Sequence, residues 1–183
     1  PLTDPDGQFG WSVGTIVMGL ATYYVVGAMT APISGWLGDR YGARRMMFAG
    51  GVLYGSSMIL MGFVQELWQF FIVFGVMLSL TQSISMVPLM ASVSGWFRRR
   101  LGLGTGILWA AGGIGTAIIA PLTGYLLETY GWQITFWSLG IGGGGLLLFL
   151  NTFLRNRPED IGLNPYGATD NDPLPATRSA ESE

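Results

Sequence analysis

The feature that most limits what this chain can fold into is the spacing of its charges. No Asp, Glu, Lys or Arg occurs in residues 10–38, 46–65, 67–97, 101–127 or 129–154. Each stretch supplies the roughly 20 residues that an α-helix needs to cross a bilayer. Only 11% of the chain is charged and 50% is hydrophobic, whereas about a quarter of a soluble domain is charged. The expected fold is therefore an all-α membrane protein with five transmembrane helices at residues 9–36, 45–64, 67–96, 103–127 and 132–154. An extracytoplasmic segment, 1–8, precedes them. A cytoplasmic linker, 155–183, follows, and its shift to Pro, Ser, Thr, Asp and Glu predicts disorder.

Composition removes several function classes. The chain has no cysteine and no histidine, so disulfides, thiolate nucleophiles, imidazole bases and most zinc sites are excluded together. No metal and no cofactor is expected. A net charge of −2 offers no surface for nucleic acid. The run Gly140-Ile141-Gly142-Gly143-Gly144-Gly145 satisfies G-x-G-x-x-G literally. A dinucleotide site also needs a preceding strand and a downstream acid. Here the glycines lie inside a predicted helix and are read as packing residues. No catalytic constellation is visible, and the chain is not expected to be an enzyme.

Arginine sets the orientation. Eight of the nine basic residues form three clusters, Arg40/Arg44/Arg45, Arg98/Arg99/Arg100 and Arg155/Arg157. They follow the first, third and fifth predicted helices, while the intervening loops carry Glu66 and Glu128 and no cation. Basic loops stay in the cytoplasm, and five alternating spans put every cluster on that side. Trp11, Trp36, Trp68, Trp96 and Trp132 fall near helix ends, where amphipathic rings favour the interface. The N-terminus is then outside and the C-terminus inside. A chain with both ends cytoplasmic has one more helix before Pro1, so this sequence is expected to be a piece of a longer one. Its expected partners are the lipid bilayer and the remaining helices, in a plasma or inner membrane.

Small residues let helix backbones approach closely in lipid. The pairs Gly10/Gly14, Gly51/Gly55, Gly102/Gly106 and Gly140/Gly144 all have this small-xxx-small spacing. Pro32, Pro88 and Pro121 fall within helices, where they are tolerated if neighbours or local adjustment satisfy the freed carbonyls, and they mark expected kinks.

Between the first two helices lies Gly35-Trp36-Leu37-Gly38-Asp39-Arg40-Tyr41-Gly42-Ala43-Arg44-Arg45. This run resembles the signature loop of the major facilitator superfamily, which joins that family's second and third helices. Gly35, Leu37, Gly38, Asp39, Arg40, Gly42 and Arg44 match. Ala43 departs from the pattern, and Arg45 supplies a nearby cation. The resemblance continues in Trp96-Phe97-Arg98-Arg99-Arg100, in Gly131-Trp132-Gln133 with Phe136, and in Arg157-Pro158-Glu159-Asp160-Ile161-Gly162-Leu163. It implies a partial major-facilitator-type bundle containing the second to sixth of twelve helices. It also implies secondary transport of a small solute by alternating access. The details look most like the monocarboxylate transporter and oxalate–formate antiporter group, which implies a small organic anion. Glycines 112, 113 and 115 with Pro121 and Gly124 partly resemble an antiporter motif, but Ala120 and Tyr125 depart from it.

In the resembled fold the acid of the signature loop belongs to a cytoplasmic latch. The latch is expected to use Asp39 with Arg40, Arg44 and Arg45, facing Arg98, Arg99 and Arg100. The fourth helix lines the cavity with the second and fifth at its flanks, so Gln82, Ser85, Tyr23, Tyr24, Trp109 and Thr116 are the substrate-binding candidates. Polar groups at membrane depth are costly and often functional. Gln82 leads because a primary amide has the most donors and acceptors to satisfy. The competing reading of each is interhelical hydrogen bonding. At the level of the whole chain, the alternative is a transport-inactive half-protein or membrane scaffold that binds a partner chain.

Overall fold

The charge-free stretches are helical in the computed structural model, which describes residues 10–96 and 101–153. The segment 1–8, the arginines at 98–100 and the linker 155–183 lie outside the described residues. The elements are α1 (Val13–Tyr41), α2 (Ala43–Met61), α3 (Leu67–Phe70), a π-helical stretch (Phe71–Leu78), α4 (Ser79–Trp96) and α5 (Leu101–Phe153). No strand occurs among the described residues, and the fold is all-α. From α3 through α4 the chain is one continuous rod. Pro32, Pro88 and Pro121 all lie within helices.

Two boundaries differ from expectation. The first helix was expected to stop near residue 36, yet α1 continues through the signature run to Tyr41, and Gly42 alone separates it from α2. Gly42 adopts φ 82° and ψ 151°, a state that an L side chain rarely takes. Its N–H donates to the Gly38 carbonyl at 2.9 Å, closing the last turn of α1. The loop expected near Glu128 is likewise helical up to Gly131, the one break within α5, at φ 82° and ψ 173°. Without that break, the 53 residues of α5 would extend about 80 Å, far beyond the roughly 30 Å of hydrocarbon.

Val13–Tyr41, Leu67–Val93 and Leu101–Phe153 are long and apolar enough to cross a membrane. The 19 residues of α2 span about 28 Å, but Arg44, Arg45 and internal glycines and serines lower its apolarity. Its place in the bundle comes from packing. The rod runs parallel to α1: Gly19 meets Phe70, Gly35 meets Val87 and Gly38 meets Pro88. The latter part of α5 runs antiparallel to α2: Gly62 meets Trp137, Gly55 meets Gly140 and Gly144, and Gly51 meets Leu148. The end of α1, the start of α2 and the end of α5 consequently stand at one end of the bundle. The ends of α1 and α4 share that level because the two run parallel. At the opposite end Met61, Val64, Phe70 and Val73 form the core, with Trp11, Phe71, Phe74, Met77 and Phe136 against it.

Candidate functional site

The signature run is held by packing. A methyl group added at Gly38 would stand 3.0 Å from Pro88 Cγ, so this glycine lets α1 lie against α4. Gly35 faces Val87 more loosely, at 3.7 Å. Ser34 and Ala43 are buried, whereas Asp39, Arg40, Arg44 and Arg45 are exposed. The Arg40 guanidinium lies 5.4 Å from the Trp36 ring and 5.9 Å from the Tyr41 ring. Those aromatic faces hold the cation at the helix end by attraction to their quadrupoles. The expected counterpart, Arg98–Arg100, lies outside the described residues.

The α1–rod interface carries a ladder of small polar groups. Ser79 Oγ donates to the Tyr23 carbonyl at 2.6 Å, and Ser83 Oγ donates to the Gly27 carbonyl at 3.2 Å. Thr30 Oγ1 donates to the Val26 carbonyl at 2.8 Å and lies 3.1 Å from Ser83 Oγ. These hydroxyls satisfy one another within the interface, as expected for polar groups that join helices away from water.

The six substrate-binding candidates separate into groups. Tyr23 lies tilted against Phe74 at 5.7 Å, and Tyr23 and Tyr24 meet edge to face at 5.4 Å, but Tyr24 itself is exposed. Ser85 packs against Gly50 of α2, together with Ile84. Gln82 takes a different face. Its neighbours Ser79 and Ser83 bond to α1, and Ile84 and Ser85 meet α2. Gln82, one step around the helix, is turned away from both and is exposed. Trp109 and Thr116 lie on the first part of α5 and are exposed, with the Thr116 hydroxyl donating to the Gly112 carbonyl at 2.9 Å. The structure thus sets Tyr23 and Ser85 within helix contacts and leaves Gln82, Tyr24, Trp109 and Thr116 on open faces.

Two features escaped the sequence reading. The first is the π-helical stretch beside Tyr23, where a methyl at Gly75 would stand 2.9 Å from Thr22 Cγ2. Such stretches are frequent at functional sites, but no sequence signal distinguishes this one from ordinary helix. The second was legible. Ala31-Pro32-Ile33-Ser34-Gly35 through Asp39 and Tyr41-Gly42 has a counterpart in Ala120-Pro121-Leu122-Thr123-Gly124 through Glu128 and Tyr130-Gly131, at identical spacing. Both runs end in a glycine at φ 82°. A self-comparison of the sequence finds this repeat, and nested repeats of this kind are a feature of transporter folds.

Comparison with known proteins agrees with this geometry. The Major Facilitator Superfamily profile matches residues 3–180. Monocarboxylate transporter 11 of Mus musculus is 24% identical over 212 residues, covering 98% of this chain and 45% of the relative. Monocarboxylate transporter 12 of Xenopus laevis is 29% identical over 128 residues, covering 70% and 25%. Monocarboxylate transporter 3 of Mus musculus is 32% identical over 120 residues, covering 66% and 22%. The chain spans less than half the length of these relatives.

Proposed function

The chain belongs to the Major Facilitator Superfamily, and from that premise we propose that it supplies the second to sixth helices of a secondary transporter for a small monocarboxylate. The observation that carries the reading is the signature run itself. Gly42 makes the one-residue reversal, Gly38 admits Pro88, and Asp39 with the arginines is left at the shared end of α1, α2 and α5. The likeness to monocarboxylate transporters supports the substrate class. In this integral membrane protein the arginine-rich end faces the cytoplasm, following the charge asymmetry. Further helices pack on the open faces, and the two halves of the complete protein rock about a central site.

Within that scheme Gln82 contacts the solute, and Asp39 pairs with Arg98–Arg100 in the state closed to the cytoplasm. Among the described residues the cations Arg40, Arg44 and Arg45 stand only at helix ends around the signature run, so at mid-helix the solute carboxylate meets neutral donors such as the Gln82 amide, with any cationic partner supplied by further helices. The test is uptake of labelled lactate and pyruvate by proteoliposomes of the complete transporter. A hydrogen bond to a charged group contributes about 1.5–3 kcal/mol, so Gln82→Leu should lower kcat/KM by roughly tenfold or more. Asp39→Asn should slow turnover while leaving KM near the parent value. Unchanged kinetics for Gln82→Leu would return that residue to a packing role, and absence of monocarboxylate uptake by the parent would refute the substrate class.

A further inference from the structure

At the shared end of α2 and α5 there is a cavity of about 410 Å³ lined by Arg44, Arg45, Phe48, Leu148, Asn151 and Thr152. Its size falls within the roughly 300–1,000 Å³ typical of small-molecule sites. None of the described residues lining it is acidic. Two guanidinium groups stand at the start of α2, where the first-turn N–H groups add positive potential. Asn151 is only 6% exposed, and its Oδ1 is buried with no hydrogen-bond partner. A buried amide oxygen left unpaired is costly, and Asn151 is one of the residues that line the cavity. Thr152 Oγ1 already donates to the Phe149 carbonyl at 2.6 Å, but its oxygen keeps a lone pair for a donor.

We propose that this cavity binds the headgroup of an anionic, hydroxyl-bearing phospholipid of the phosphatidylglycerol type. Arg44 and Arg45 take the phosphodiester. A headgroup hydroxyl donates to Asn151 Oδ1, supplying the hydrogen bond that the protein leaves unmade. Phe48 and Leu148 line the side toward the membrane interior, where the glycerol backbone and first acyl carbons lie. A free phosphate would use the cations but not the apolar wall. The location fits, because Arg44 and Arg45 begin a helix at the bilayer interface and basic pockets between helices at that depth suit anionic headgroups. The inference depends on the chain being embedded in a bilayer, and transport is not required for it.

The purified chain in nanodiscs tests this with spin-labelled phosphatidylglycerol, phosphatidylmethanol and phosphatidylcholine. Phosphatidylglycerol should be retained over phosphatidylcholine. Arg45→Gln should weaken phosphatidylglycerol by about fivefold, and Arg45→Lys should restore most of that affinity. Asn151→Leu should bring phosphatidylglycerol down to the level of phosphatidylmethanol, whose phosphodiester carries the same charge but no hydroxyl, while leaving phosphatidylmethanol unchanged. That selective loss distinguishes a lost contact from misfolding, which would lower both lipids. Equal retention of phosphatidylglycerol and phosphatidylcholine by the parent would overturn the proposal. Displacement of the labelled lipid by millimolar inorganic phosphate would also overturn it, by identifying a small-anion site.

Discussion

The crossing of α2 with the latter part of α5 and the first part of α5 carry the same small-xxx-small spacing, yet only one of them uses it. At the crossing, a methyl added at Gly144 would stand 3.0 Å from Gly55 Cα, and one at Gly140 would stand 3.0 Å from the Gly55 carbonyl oxygen. Four glycines, Gly51, Gly55, Gly140 and Gly144, bring the two helices nearly backbone to backbone. Along the first part of α5, Gly102, Gly106, Gly112, Gly113, Gly115 and Gly124 have nothing within 4 Å of such a methyl. Large side chains there, among them Trp109, Ile114, Ile118 and Tyr125, are exposed. A run of small residues shows that a helix is able to approach another closely. Whether it does depends on what stands opposite.

The largest effect should come from filling the crossing. Gly144→Val places branched carbon against the Gly55 backbone, which cannot rotate aside. It should lose up to about 3 kcal/mol, as strong overpacking does, measured by reversible unfolding of the chain in mixed detergent micelles. A stable Gly144→Val chain would show that the crossing is not the main contact of α5.

An intermediate effect should come from the two turn glycines. Gly131 has open space around it but φ 82°, so Gly131→Ala tests backbone strain without any clash. Gly131→Ala and Gly42→Ala should each cost about 1–2 kcal/mol in the same assay. If Gly131→Ala is neutral while Gly42→Ala is costly, the repeat extends to sequence but not to conformational demand.

The smallest effect should come from the open face. Gly113→Ala meets nothing among the described residues and removes a flexible helix interior residue. It should leave stability unchanged or raise it by up to about 1 kcal/mol. Where further helices cover this face in a longer protein, the same change should instead impair their packing. Destabilisation of the chain alone by Gly113→Ala would show that the face is already occupied.

Much of this was legible from residue order. The charge-free runs predicted helices where helices are found, although the two turns shrank to single glycines. Residues 37–44 have the charges and glycines of loop composition, and a loop is what that composition predicts. The structure continues the helix through it, since Gly38 is required for contact with Pro88 and leaves only Gly42 to reverse the chain. Among site residues, the signature run was legible because its constraints are local. The division of Tyr23 and Ser85 from Gln82 was not, because all are polar and mid-helix, and only the directions of α1 and α2 around α4 distinguish their faces.

The sequence by itself determined the helical class, the membrane solvent and the places where the chain turns. Those depend on lengths, charges and the backbone freedom of residues close together in the chain. The tertiary structure alone decided which glycine stripe became an interface and that Arg44 and Arg45 would share a cavity with Asn151. Those residues are far apart in the sequence, and antiparallel packing of α2 on α5 brings them to the same end. The unpaired oxygen of Asn151 exists only because that packing removed it from water without supplying a donor.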